Sequence, residues 1–225
     1  MSAQRTRVRA VLLDVDGTLI DSNLAHATAW SETLREFGYD IPVERVQPLI
    51  GMGGDKLLPK LTGLDHESKL GVRMTDRRAE IFKTRHLPSL RAFPGARELL
   101  ARFKKDDLEL VVASSSGADQ LNDMLEQTGL DELVERKTSS SDAEHSKPSP
   151  DIIQAALKKG NVDAPEALML GDTPYDVEAA GRAGVATVAV RSGGWSDHEL
   201  SGAVAVYADA AHLLRDYDTS PFSQR

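Results

Sequence analysis

Short apolar runs that end at a hydroxyl or a carboxylate alternate along this chain with stretches whose apolar residues recur every three or four positions. The runs predict strands over 9–15, 109–114, 133–138, 167–170 and 186–190, and the helical spacing predicts helices over 118–127, 151–159 and 175–183. Strand and helix in alternation specify an α/β fold with a doubly wound parallel sheet. Ligands of such sheets bind beyond the carboxyl ends of the strands. Asp14, Ser114 and Asp172 all stand at such ends.

Between the first and second strands the pattern changes. Ala27, Trp30, Leu34 and Phe37 repeat at three- and four-residue steps, with Ser22 as the predicted cap, and shorter helices are expected over 43–50, 55–61 and 66–85. The segment 21–90 is therefore expected to be an inserted α-helical domain on a core made of 1–20 and 91–225, with Arg91-Ala92-Phe93-Pro94-Gly95 as the return. Hinges are expected near 20–21 and 90–94. Ser139–Ser141 is expected to be loop, and 219–225 a frayed tail. No internal repeat or low-complexity segment is present.

Length and composition narrow the function. With 225 residues, 40% of them hydrophobic, the chain covers one large domain or a domain with an insertion. A formal net charge of −8 argues against nucleic acid or an anionic membrane as a partner. The absence of cysteine excludes disulfides, thiolate metal sites and cysteine nucleophiles. No apolar run approaches the ~20 residues that span a bilayer, and the polar start over 1–9 lacks a following signal-peptide core, so a cytoplasmic protein is expected.

The chemistry concentrates in four places. In Asp14-Val15-Asp16-Gly17-Thr18-Leu19, two acids two positions apart share a strand face, and Gly17 lets the chain turn away. One carboxylate can attack while the other moves protons. Ser114, followed by Ser115, Ser116 and Gly117, can present a hydroxyl and backbone N–H groups to a phosphoryl oxygen. Lys147, next to Pro148 and Pro150, is a lysine on a stiff loop that can neutralise a carboxylate and a phosphoryl group together. Asp172 ends an apolar run, and Asp176 follows Thr173 and Pro174 at a helix start.

Taken in order, these four motifs resemble those of the haloacid dehalogenase (HAD) superfamily, in the phosphoglycolate phosphatase and β-phosphoglucomutase-like branch with an α-helical cap. The resemblance covers about residues 8–215 and implies a magnesium-dependent phosphatase acting on a small phosphorylated metabolite. It implies that Asp14 forms an aspartyl-phosphate and that Asp16 serves as general acid and base, protonated at first because nearby carboxylates raise its pKa. Mg2+ would be held by Asp14, Asp172 and the backbone carbonyl of Asp16, a count that suits this ion. Lys147 would add positive charge, oriented by Asp176, while Gly17, Thr18, Ser114 and Ser115 hold phosphate.

In the expected cap, Gly51-Met52-Gly53-Gly54-Asp55-Lys56 resembles a substrate-facing loop, with Lys56 as an anion contact. His26 and Trp30, one turn apart and on the face of Ser22, are spaced as in β-phosphoglucomutases, where the corresponding pair faces the site. A phosphomutase is thus the first alternative, although Gly54 stands where those enzymes carry a phosphate-gripping Arg. A 2-haloacid dehalogenase typically lacks the second acid, here Asp16, and a catalytically silent binding module would not need the full set. A monomer or a homodimer is expected.

Overall fold

The structure, a computed structural model, describes residues 7–223. Six strands, β1 (Ala10–Leu13), β2 (Glu109–Ala113), β3 (Arg136–Thr138), β4 (Ala167–Gly171), β5 (Ala186–Val190) and β6 (Ala205–Tyr207), form one all-parallel sheet in the order β3-β2-β1-β4-β5-β6. The central strand, β1, is apolar throughout because both of its faces are covered. Its register pairs Leu13 with Val112 on one side and with Leu170 on the other. The ends of β1, β2 and β4 therefore lie level.

Among the described residues nine helices follow in chain order: α1 (Asn23–Glu36), α2 (Val43–Val46), α3 (Gly54–Thr62), α4 (Lys69–Ile81), α5 (Ala96–Lys105), α6 (Ala118–Thr128), α7 (Asp151–Gly160), α8 (Pro174–Arg182) and α9 (Ala210–Arg215). Alternate strand residues feed two cores. Val11, Leu13, Val112 and Leu170 pack with Leu99 and Phe103 of α5, Met124 of α6 and Leu213 of α9. Ala10, Leu12, Val111 and Met169 pack with Ile152 and Ile153 of α7 and Ala180 of α8. A third cluster, around Trp30, Leu34, Leu57, Leu58 and Met74, is made within α1 to α4 and the loops between them. The chain leaves the sheet through Ile20 and returns through Ala92, which pair as an antiparallel bridge flanked by Asp21 N to Arg91 O at 3.0 Å and Phe93 N to Leu19 O at 2.9 Å.

Several sequence expectations shift. The helix expected over 43–50 stops at Val46 and passes into a tighter turn carrying Pro48, which cannot donate to a continuing helix. The one expected over 66–85 begins at Lys69, after Ser68 caps Gly71 N, and widens into a looser turn over Phe82–His86. Residues 139–142 form a short capped turn rather than open loop. The strand expected over 133–138 shortens to β3, and α5, β6 and α9 had not been anticipated. The frayed tail is also corrected: Ser220 and Phe222 are buried, and Phe222 lies 4.8 Å from Phe103, centroid to centroid. Residues 1–6 and 224–225, parts of the expected core and tail, lie outside the described residues. Among the described residues no helix is long and apolar enough to cross a membrane.

Candidate active site

The turn that ends β1 puts Asp14 and Asp16 at the edge of the sheet. Amides of Thr18, Leu19 and Ile20 all point to the carbonyl of Val15, so the chain doubles back within five residues. Gly17 sits at φ 79, and a Cβ there would come within 2.3 Å of both Asp172 and Asn23. Only glycine lets the turn press against the neighbouring strand end. Thr18 Oγ1 then reaches both carboxyls, 3.0 Å from Asp14 Oδ2 and 2.9 Å from Asp172 Oδ1. It has one proton to give.

Lys147 is fully buried and donates to Asp14 Oδ1 at 2.6 Å and Asp176 Oδ1 at 2.8 Å. Burial disfavours its charge, but the two carboxylates outweigh burial and hold its pKa above the usual lysine value. The other oxygen of Asp176 accepts from Thr173 N at 3.0 Å and Thr173 Oγ1 at 2.7 Å, while Thr173 Oγ1 accepts from Asp176 N. This reciprocal cap starts α8. Asp176 thus caps a helix and aligns a lysine at once.

Three acids, Asp14, Asp172 and Asp176, offer oxygens within 4.8 Å of one another. Burial, followed by the charges of its neighbours against the pull of Lys147, pushes the carboxyl of Asp14 up to about 7. Asp172 is raised well above the ordinary range by burial and by the charges of Asp14 and Asp176. One lysine does not neutralise such a group. A hard divalent cation fits this oxygen-only donor set, and Asn23, whose Nδ2 donates to Asp172 Oδ2 at 3.2 Å, leaves its buried Oδ1 without a partner beside it. The single hydroxyl proton of Thr18 cannot serve Asp14 Oδ2 and Asp172 Oδ1 at once, so one of these two oxygens is left to take a cation.

Asp16 contradicts the expectation that neighbouring carboxylates raise its pKa. Its Oδ1 accepts from Ser22 Oγ at 2.5 Å and from His26 Nε2 at 2.7 Å, and its Oδ2 accepts from Ser116 Oγ at 3.1 Å. Burial would raise its pKa, but His26 and the two hydroxyls outweigh burial and hold it far below the usual carboxylate range. Asp16 is a carboxylate here. Ser22 does precede α1, but its hydroxyl serves Asp16 and caps nothing. His26 is oriented from the other side by Arg78 Nη2, which meets His26 Nδ1. A guanidinium only donates, so Nδ1 accepts and the ring proton sits on Nε2, facing Asp16. Burial is the main reason that the pKa of His26 falls below its usual value; the charge of Arg78 assists and Asp16 opposes.

Above these groups lies a cavity of about 690 Å³, with Asp14, Asp16, His26, Trp30, Arg78 and Ser115 in its wall. Ser115 Oγ is buried without a partner. Ser114 is fully buried below, accepting from Ser116 N at 3.1 Å. Lys56 does not behave as expected: its Nζ bonds the carbonyl of Ser146, while Asp55 Oδ1 accepts from Ser146 Oγ at 2.5 Å and Gly53 N donates to the same hydroxyl at 3.1 Å. The 51–56 loop therefore grips the residue before Lys147. Gly54 faces Trp30, where a Cβ would stand 3.2 Å from the indole.

Sequence reasoning noted Ser116 only as part of the run after Ser114, and missed Asn23, Arg78 and Gly193, the last so close that a Cβ would lie 1.6 Å from Asp172 Oδ2. The helical spacing of Ser22, Asn23 and His26 was a usable signal for Asn23. Nothing local marked the others.

Residues 11–190 match the family model described as haloacid dehalogenase-like hydrolase. The chain is 31% identical over 216 residues to a phosphoglycolate phosphatase of Rhodospirillum rubrum, covering 91% of this chain and 89% of that protein. It is 30% identical over 185 residues to the pyrophosphatase PpaX of Bacillus velezensis, with 82% and 83% covered. The crystal structure of a hydrolase from Pseudomonas syringae superposes with a TM-score of 0.88 at 32% identity, over 94% of this chain and 98% of that one.

Proposed function

The chain belongs to the haloacid dehalogenase-like hydrolase family, and on that premise we propose that it is a magnesium-dependent phosphatase of small phosphorylated metabolites that works through an aspartyl-phosphate on Asp14. The observation that carries this reading is the placement of Asp14 at the cavity wall, held by Lys147 from behind, with Asp16 two residues on. We assign the core to 1–20 and 91–225 and the cap to 21–90, joined by the Ile20 and Ala92 pair.

Asp14 attacks phosphorus with a carboxylate oxygen, and the bond from phosphorus to the leaving oxygen breaks as the new one forms. Lys147, already bonded to Asp14, offsets the charge of two anions approaching one another. A magnesium ion on Asp14, Asp172 and the main-chain carbonyl of Asp16 would supply Lewis-acid neutralisation of the phosphoryl oxygens. Ser115, with a free hydroxyl in the wall, and the Thr18 turn steady those oxygens. Asp16 hands a proton to the leaving oxygen, and the approach of an anionic phosphoryl group favours the protonated form that this step needs. It then takes a proton from the water that cleaves the acyl-phosphate. The carboxylate held by His26, Ser22 and Ser116 is the form suited to this second half.

Gly54, packed against Trp30, brings no side chain of its own to the position at which the phosphomutase resemblance calls for an Arg. Phosphate release from a panel of small phosphate esters, with and without magnesium, tests the proposal. Metal-dependent release by the native protein is expected, with a fall of at least ~10³-fold in Asp14→Asn while its circular dichroism is retained. Undiminished release by that variant removes Asp14 as nucleophile.

A further inference from the structure

Arg78 is a cation with no carboxylate in direct contact, the charge of Asp16 reaching it from the far side of the His26 imidazole. It projects from α4 in the cap, is partly buried and stands in the cavity wall. Nη2 is taken by the imidazole of His26 and Nη1 by Gln120 Oε1 on α6 of the core. Both partners are uncharged. Among the described residues no carboxylate comes within ion-pair distance of it, and the cavity's other acids, Asp55, Asp119 and Glu144, make no such pair. Its Nε–H is shut away from water with no partner. The rings of Trp30 and Phe82 lie 5.5 and 5.2 Å from the guanidinium carbon and hold the plane in place.

A guanidinium has five N–H donors, and two of these are spent on His26 and Gln120. Elsewhere in this chain arginines find carboxylates: Arg77 pairs with Glu36, Arg85 with Glu32 and Arg97 with Glu132. A fixed, unpaired guanidinium on the wall of a substrate-sized cavity is matched by an anion that arrives with the ligand. Burial draws its pKa down only to about 10, so the charge is present at neutral pH.

We propose that Arg78 is the recognition group for a second anion on the substrate, a carboxylate or a further phosphoryl group carried by the part that leaves. The inference rests on the phosphatase reading for which end of the substrate reacts. His26 bridges Asp16 and Arg78, so the guanidinium stands one imidazole's width beyond the proton donor to the leaving oxygen. The second anion is accordingly close to that oxygen, as in a phosphorylated short hydroxy acid or a diphosphate. A neutral sugar phosphate offers Arg78 nothing to pair with. Because Arg78 belongs to the cap and Gln120 to the core, an anion seated here also ties the two together.

The test separates binding from turnover. Calorimetry with magnesium present compares three probes that are not hydrolysed: methylphosphonate, phosphonoacetate and methylenediphosphonate. The native protein is expected to bind one or both dianionic-ended probes at least tenfold more tightly than methylphosphonate, and which of the two gains tells carboxylate from phosphoryl. In Arg78→Met that preference falls to near unity; in Arg78→Lys, which keeps charge but loses the fork, part of it survives. Equal binding of all three by the native protein, or a full preference in Arg78→Met, overturns the assignment. Should Arg78→Met not fold, the native preference and its reduction in Arg78→Lys decide. Phosphate release from ethyl phosphate and phosphoglycolate is read separately: no release from either, with the binding preference intact, overturns the phosphatase reading and leaves the anion site standing.

Discussion

Asp14 and Asp16 are two residues apart on one turn, yet their carboxyls are driven in opposite directions. Asp14 is raised to about 7 by burial among acids, whereas three donors hold Asp16 down. The expectation of a raised pair was right in its physics and assigned to the wrong member. Its failure has a simple origin: Ser22 and His26 share a face by their helical spacing, but no spacing along the chain announces that Ser116, a hundred residues beyond Asp16, joins them. The raised carboxyls have a consequence for stability. The folded state binds protons at Asp14 and Asp172 more tightly than the unfolded chain does, so their contribution is full at acid pH and is lost as pH climbs from about 4 through about 7. Asp172→Asn removes one of the repelling charges. In chelator at about pH 8 it is expected to melt some 2–4 °C above the native protein for each kcal/mol relieved, and the gap should close at about pH 4. Magnesium should raise the native melting temperature and leave that of the variant nearly unchanged. A variant that melts lower at both pH values would show that the acids do not repel.

Among the elements, the carboxyl-terminal end departs most from its sequence reading. A polar, proline-containing run looked like a tail, but one aromatic side chain determines its fate: Phe222, 3% exposed, closes against Phe103 of α5, where Tyr217 also packs at 5.8 Å. α5 was not anticipated, although Leu99, Leu100 and Phe103 recur at helical spacing. Phe222→Ala should cost about 3 kcal/mol in urea unfolding, the usual penalty for emptying a buried phenyl site. A frayed segment would show no change. Conversely α8 behaves as read, because the signals that start it, Thr173, Pro174 and Asp176, act within one turn.

Across the whole molecule, the helical segment proposed as the cap is fastened to the sheet by the 51–56 loop. Asp55, Lys56 and Gly53 all bond Ser146, and the next residue is Lys147, whose ammonium touches Asp14. Tyr175 of α8 adds a bond to the carbonyl of Pro48 at 2.8 Å. These bonds hold the loop of Lys147 beside residues 51–55, which line the cavity. Loss of the two hydrogen bonds that Asp55 accepts from Ser146, by Asp55→Ala, is expected to lower kcat/KM about tenfold and to speed amide exchange over 51–56. Unchanged values of both would show that these bonds do not hold the two loops together.

What the sequence by itself determined is local and repetitive: apolar runs that form strands, acids at their ends, a glycine where the chain must turn, and a helix start marked by Thr173 and Pro174. Each depends on residues within a few positions, where backbone geometry alone dictates which side chains meet. The tertiary structure alone decided the protonation state of Asp16, the diversion of Lys56 to Ser146, and the unpaired charge of Arg78 in the cavity wall. Those outcomes follow from burial and from partners up to a hundred residues away, and both exist only once the sheet has brought its strand ends level and the helices of 23–81 are packed over them.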